Sequence, residues 1–308
     1  MVQSIFNHSI PNHGLLSRLS RNLRRVILKF GDPLVSYDLN GVSIRLNLSH
    51  ELPYYREEHP TYCANLSRLT AFVRQRFGGL RMIDVGANIG DSYCLAGEVA
   101  GDEFLLIEGD SRYFKLLEMN TAKARAVTSL LTFVSDKAGA STDKLVSGLG
   151  TGHITSTGEE GDSIVYSTID GLIKDHPSFA RTNILKTDVD GFDCRVLRGA
   201  DDLIKSASPV LFFEHSPFML SKAHEDDRDI FKRLGEWGYG KLIFYDNRGF
   251  LAGCFDTADS TLIDDLMSYA LQQKDAYYYD ICCFSDRHAT LRDEFVDLER
   301  EYFRGRAN

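Results

Sequence analysis

Proline is scarce in this chain of 308 residues, at only 7 positions, and no low-complexity linker interrupts it. With 43% apolar and 26% charged residues, that scarcity excludes a tail-like disordered chain and leaves material for a sizeable core. Long apolar runs are missing too. Val210-Leu211-Phe212-Phe213 is typical of the longest, against the roughly 20 residues of a bilayer-spanning helix. The N-terminus lacks an apolar stretch ending in a small-residue cleavage site, so no secretory signal is read and a cytoplasmic address is expected. No C-x-x-C, H-x-x-x-H or H-E-x-x-H occurs, which removes the usual zinc readings. The six cysteines (63, 94, 194, 254, 282 and 283) are scattered, and reduced thiols are expected, with Cys282 and Cys283 on opposite sides of a strand. Acid is absent from residues 1–31, which hold five Arg/Lys, so the remainder carries a formal −14. An acidic body argues against a nucleic-acid partner gripped through many phosphates.

In the basic segment, Leu15, Leu16, Leu19, Leu23, Val26, Ile27 and Phe30 follow helical spacing, with Arg18, Arg21, Arg25 and Lys29 largely on the other side. The pattern predicts an amphipathic helix. It either caps the body with solvated charges or makes peripheral membrane or partner contact through residues 15–30.

From about residue 80, short β-rich runs alternate with helical patterns, which predicts an α/β fold with a mostly parallel, twisted sheet and helices on both faces, plus a small N-terminal helical/β extension. Strands are expected at 80–85, 104–107, 130–134, 164–167, 184–186, 209–213, 241–245 and 277–284, and helices at 90–100, 111–124 (capped by Asp110), 192–204 and 226–237. A Gly/Ser/Thr-rich region, 138–163, holding Gly148, Gly150 and Gly152, reads as a functional loop or an inserted hairpin. Residues 1–75 are expected to form the extension and pack on the core, and 291–308 to form a C-terminal helix. In open parallel sheets ligands sit at the carboxyl ends of the strands.

The first such end reads Ile83-Asp84-Val85-Gly86-Ala87-Asn88-Ile89-Gly90, a D-x-G-x-x-x-G turn. Its two glycines let the backbone approach a ligand, and the following helix N-terminus favours that ligand's negative end. The dinucleotide pattern G-x-G-x-x-G is absent: Asn88 holds the place of its second glycine, and Asp84 disfavours a diphosphate. S-adenosylmethionine suits the pattern better, with a carboxylate for the loop and an ammonium and sulfonium for nearby acids. Glu108 closes the second strand, where an acid reaches ribose hydroxyls. Ser135-Asp136 follows the third, where a side chain can meet an adenine amine or form an Asx-turn.

Two later segments complete the pattern: Lys186-Thr187-Asp188-Val189-Asp190-Gly191 with Val196-Leu197-Arg198-Gly199-Ala200, and the strand end Glu214-His215. Together with Ile83 to Asp91 and Thr168-Ile169-Asp170-Gly171-Leu172-Ile173, they resemble the FkbM-family S-adenosylmethionine-dependent methyltransferases over roughly residues 60–245. The resemblance implies a class I, Rossmann-like methyltransferase domain, taken as 76–290. It places Asp84, Gly86, Asn88 and Gly90 around the methionine moiety, Glu108 on the ribose and Asp136 near the adenine, with Ala87, Gly109, Ser135 and Asp188 also lining the cofactor. Family activity is mostly O-methylation. This chain departs from the family in carrying Asp at 190 and 193, where Glu is common, and Gly109, where Pro is common.

A hydroxyl acceptor must lose its proton. His215 is a candidate base, with Asp188, Asp190 or Glu214 as alternatives if burial raises their pKa values. Lys186 either steadies an alkoxide or pairs these acids. Asp188, Asp190 and Glu214 are also the set that would hold Mg²⁺ or Ca²⁺, if a divalent cation takes part. Tyr54, Tyr55 and Tyr62 offer rings to stack on a pyranose, to close over the cofactor or to pack in the core. The expected acceptor is a hydroxyl on a small molecule, sugar, glycan, glycolipid or natural-product intermediate. The alternatives are an NAD-dependent oxidoreductase and a non-catalytic binding protein on the same fold.

Overall fold

Strands buried on both faces read as near-continuous apolar runs, and four of the five parallel strands of this chain are of that kind, the edge strand Val127–Leu131 being partly exposed throughout. In the computed structural model, which describes residues 1–11, 13–141, 143–147, 152–155, 164–223, 225, 228–273 and 277–306, the five are β1 (Arg81–Val85), β2 (Glu103–Glu108), β3 (Val127–Leu131), β4 (Ile184–Thr187) and β5 (Val210–His215). With β6 (Lys241–Asp246), β7 (Leu251–Asp256) and β8 (Tyr279–Cys283) they form one sheet of order β7-β6-β8-β5-β4-β1-β2-β3. Strands β1 to β5 pair in parallel, while β8 runs antiparallel to both β5 and β6, and β7 antiparallel to β6. This is a mixed α/β fold of the class I, Rossmann-like kind.

Alternation along each strand divides the core in two. Met82, Phe104, Leu106, Ile184, Val210, Phe212 and Cys282 belong to one buried cluster. Ile83, Leu105, Ile107, Leu185, Leu211, Phe213 and Cys283 belong to the other. Adjacent Cys282 and Cys283 therefore face opposite layers, and all six cysteines are free thiols. Each such Leu, Ile or Phe removed from water contributes about 1.5–3 kcal/mol.

Local chemistry sets the helix ends. The helix after β1 runs only from Asp91 to Ala96, shorter than the pattern predicts, because Gly97 stops it at φ 64°. Asp110 accepts the Arg112 N–H at 2.9 Å and caps the helix Ser111–Thr121. Asp110→Ala should lower stability by about 1 kcal/mol, read as a shifted midpoint in urea with unchanged slope. The expected helix 192–204 is two helices, Asp193–Arg198 and Asp201–Ala207. They part at Gly199, where a Cβ would stand 2.2 Å from the Ser135 carbonyl oxygen. The second receives a cap from elsewhere: the Asp170 carboxylate accepts the Asp202 and Leu203 N–H groups, each at 2.9 Å.

The expected third strand also divides. Val127–Leu131 stays in the main sheet, while Phe133–Val134 joins Ile164–Ser167 and Gly139–Ser141 in a separate small sheet. The region 138–163 contains a hairpin pairing Lys144–Ser147 with Gly152–Thr155; Gly148 and Gly150 lie outside the described residues. The edge strand β7 had no sequence signal, being interrupted by Gly253 and half-exposed. Toward the N-terminus, helices Val2–Ser9 and Leu15–Leu28 precede a hairpin, Leu34–Leu39 with Val42–Asn47. Among the described residues, no helix is long and apolar enough to cross a membrane.

Candidate active site

Strand order reverses between β1 and β4, so their carboxyl ends border a crevice, the usual place for a ligand in such sheets. Asp84 and Lys186 are register partners on β1 and β4. Both are buried, and the Lys186 Nζ donates to Asp84 Oδ1 at 2.9 Å and lies 3.4 Å from Asp188 Oδ2. Burial pushes the Asp84 carboxyl up, against the pull of Lys186. Burial opposes the lysine's charge, but Asp84 and Asp188 outweigh it and carry its pKa well above the ordinary value. Lys186 therefore serves by pairing acids, the second of the two roles foreseen for it.

The turn after β1 differs from expectation in one respect. Gly86 and Gly90 adopt left-handed φ values of 79° and 85°, as the pattern requires. The turn's amides, however, are engaged within the protein: the Gly86 and Ala87 N–H groups both donate to the Ile107 carbonyl, at 2.9 and 3.0 Å. The Asn88 N–H donates to Glu108 Oε2 at 2.8 Å. These three amides thus fix β1 to β2, and neither a ligand carboxylate nor a diphosphate would find them free. Glu108 also accepts the Asp110 N–H at 2.7 Å, which holds its carboxyl group at the end of β2. Burial still pushes its pKa up to about 7.

Beyond β4, the loop is organised by Asp193, whose carboxylate accepts from Thr187 Oγ1 at 2.7 Å, the Val189 N–H at 3.2 Å and the Gly191 N–H at 3.3 Å. Asp190 projects from this loop at φ 51°, half-buried. Burial first, then Asp188, Asp193 and Glu108, push its pKa up to about 7. Burial and neighbouring Asp188, Asp190, Asp193 and Asp280 raise Glu214 well above the usual carboxylate range.

His215 is not part of this group. Strand parity sends Glu214 toward the acids and His215 to the opposite layer, where its ring sits 4.9 Å from Phe231 and 6.5 Å from Phe213. Neither ring nitrogen has a hydrogen-bond partner, the residue has no exposure, and burial pushes its pKa down to about 3. A base must reach the proton it removes, so the assignment of that role to His215 is corrected. The cation alternative fares no better: among the described residues, no three His, Cys, Asp or Glu side chains are placed to hold a metal ion, Asp188, Asp190 and Glu214 included.

On the expected adenine side, Ser135 Oγ donates to Asp136 Oδ1 at 3.2 Å, and Asp136 lies 3.7 Å from the Arg198 guanidinium. Gly109 supports the Phe133 ring, which a Cβ there would meet at 2.3 Å. Among the tyrosines, Tyr55 and Tyr62 stack at 5.7 Å, Tyr62 hydrogen-bonds Tyr278 and feels Asp188, and Tyr54 bonds Ser9 Oγ in the extension at 2.6 Å.

Several residues of the site carried no motif. Asp280 on β8 is held by Asn65 Nδ2 at 2.9 Å, and burial pushes its pKa up to about 7; a lone acid between Tyr279 and Ile281 was its only signal. His50 Nδ1 accepts the Leu52 N–H at 3.2 Å, and its ring meets Tyr113 edge-on. Asn120 Nδ2 donates to the Ile89 carbonyl at 2.8 Å and to the Arg45 carbonyl at 2.9 Å, and its Oδ1 accepts the Arg45 N–H at 2.7 Å. The hairpin thereby braces the glycine turn.

The Methyltransferase FkbM domain profile matches residues 84–240, just over half of the chain. The chain belongs to the FkbM methyltransferase family. Among solved structures, the FkbM methyltransferase of Methylobacillus flagellatus KT is 19% identical, over 47% of this chain and 38% of that one, with a TM-score of 0.32. A precorrin-6y C5,15-methyltransferase from Geobacter metallireducens GS-15 is 13% identical over 71% and 87%, with a TM-score of 0.37. A human methyltransferase 10 domain-containing protein is 12% identical over 86% and 94%, with a TM-score of 0.40. No curated protein matches the chain.

The family implies S-adenosylmethionine, and the residues fit it. Buried Asp84 Oδ2 has no hydrogen-bond partner, and Asp188 beside it is exposed, so the crevice offers negative charge to a cationic donor. Glu108, with two N–H bonds already made, retains lone pairs for hydroxyls. FkbM departures also find physical reasons. Gly109 leaves room for Phe133, and the short Asp193 side chain suits three bonds within its own loop.

This concentration of acid has a measurable consequence without donor. Glu108, Asp190, Asp193 and Asp280 are each pushed up to about 7, against about 4 in an unfolded chain. Between those values the native state holds more protons, so stability present at low pH is lost as pH rises through about 7. Calorimetry of the donor-free chain should give a higher melting temperature near pH 5 than near pH 8. An equal or higher value at the alkaline end would contradict this electrostatic assignment.

Proposed function

We propose that this chain methylates a hydroxyl of a sugar, glycan, glycolipid or natural-product intermediate, using S-adenosylmethionine. The observation that carries the reading is the fixed Glu108 carboxyl at the end of β2 together with the buried Asp84–Lys186 pair and the exposed Asp188 at the strand-order reversal. When bound, S-adenosylmethionine supplies an electrophilic methyl carbon. Asp84 and Asp188 would hold its positive charge and Glu108 its ribose, with Ser135 and Asp136 on the adenine side. Asp190 takes the acceptor's proton, because its pKa near 7 suits a base at neutral pH. The Tyr55–Tyr62 stack supports a sugar ring as acceptor, and the acids beside it disfavour an anionic one.

Incubation with isotopically labelled S-adenosylmethionine and fractionated cellular saccharides and lipids tests this directly. Label should appear in an acceptor as an alkali-stable methyl ether. Saturable binding of a nicotinamide dinucleotide, without any affinity for S-adenosylmethionine, would overturn the reading.

A further inference from the structure

The helix Leu15–Leu28 lies on the body in an unexpected orientation. A helix that caps a core turns its apolar stripe inward. Here Ser17 and Ser20 are the buried residues, and only Ile27 and Leu28 of its apolar residues pack partly against the core. Arg24 fixes the rotation by donating to the Leu48 and Ser49 carbonyls, both at 2.9 Å, and to Glu51 at 2.8 Å. Arg21 adds bonds to the Ser9 and Pro11 carbonyls, both at 3.0 Å. The outward row is consequently Leu15, Leu16, Leu19, Leu23 and Val26, continued by Phe30, with exposures of 85%, 58%, 57%, 41%, 50% and 88%. Exposed Arg18, Arg25 and Lys29 run along one flank of that row.

We propose that this row is a docking surface for the anionic face of a lipid bilayer, with the helix lying in the interface plane. Two physical requirements select that occupant. An exposed apolar row needs an apolar medium, and basic residues beside it need negative charge at the boundary; an anionic bilayer surface supplies both along a helix's length. A second copy of the chain supplies the first but not the second, because residues 1–31 contain no acid and a symmetric contact would set Arg18, Arg25 and Lys29 near their own images. The acidic body is repelled by the same lipid. Attachment should therefore run through this helix alone and weaken with salt, since exposed charges are screened over about 10 Å at 0.1 M.

The test uses the full chain in co-sedimentation with vesicles of phosphatidylcholine mixed with phosphatidylserine, and of phosphatidylcholine alone, at low and high salt. Binding is expected to the mixed vesicles, at least about 10-fold stronger than to the neutral ones, and to fall with salt. L19E/L23E should abolish it, and R18Q/R25Q/K29Q should weaken it about 100-fold. Both variants should melt as the parent does, because every substituted side chain is exposed. Equal or absent binding of the parent to the two vesicle types would overturn the proposal. So would a parent dimer in solution that L19E/L23E converts to monomer, which would make the row a self-interface. Neither result depends on methyl transfer, so the outcome is separate from the proposed activity.

Discussion

Gly86→Val should leave little native protein. A Cβ at this position would stand 1.9 Å from the Asp188 carbonyl oxygen, 2.8 Å from its carbon and 3.0 Å from Val189 Cγ1. The first two are backbone atoms of the loop after β4, tied by the Asp188 N–H to the Val85 carbonyl at 3.0 Å, so no side-chain rotation relieves the contact. The residue also sits at φ 79°, which disfavours a β-branched side chain most. Overpacking and left-handed strain together are expected to cost about 3–6 kcal/mol. Even where the variant survives, β1 and β4 must separate at their ends, spreading Asp84, Lys186 and Asp188. Denaturant unfolding and calorimetric titration with S-adenosylmethionine would check both effects. A variant with parental stability would mean that the two loops approach less closely than described.

Asp190→Asn should behave in the opposite way, sparing the fold and removing turnover. The substitution keeps the shape but deletes the proposed proton acceptor, and a positioned acid or base contributes about 10²–10⁴-fold to rate. Donor affinity should change little. Stability near pH 8 should hold or rise, because Asp190 ionises against burial and the charges of Asp188, Asp193 and Glu108. In the parent, kcat/KM should increase with pH through about 7 and then level, as the base acts only when ionised. His215→Phe supplies the contrast. It fits an aromatic ring between Phe213 and Phe231, removes two buried nitrogens without partners, and should raise stability by about 1 kcal/mol with turnover unchanged. Should His215→Phe lose activity while Asp190→Asn keeps it, the assignment of the base reverts to the histidine.

The contrast between Glu214 and His215 also shows where the sequence stops being informative. Both close β5, and a strand's period of two sends them to opposite layers. Parity is readable only when one face is polar, and Phe212 and Phe213 are both buried, so nothing local says which neighbour turns toward the acids. The glycine turn was legible for a similar reason in reverse: left-handed φ values at residues 86 and 90 leave a direct mark in residue type. What occupies its amides was not legible, because the acceptors, Ile107 and Glu108, sit on another strand. The order of β1, β2, β4, β5, β6 and β8 followed from periodicity, whereas β7 and the helix Ser260–Gln272 after it did not. The division of helix 192–204 did not, since Gly199 breaks it through close approach to Ser135 from another segment.

Asn120 joins Arg45 of the hairpin to Ile89 of the glycine turn, which makes the turn's rigidity a property shared with residues far upstream. On the proposed function, substitutions in Val42–Asn47 should therefore shift donor affinity without altering any residue assigned to hold the donor.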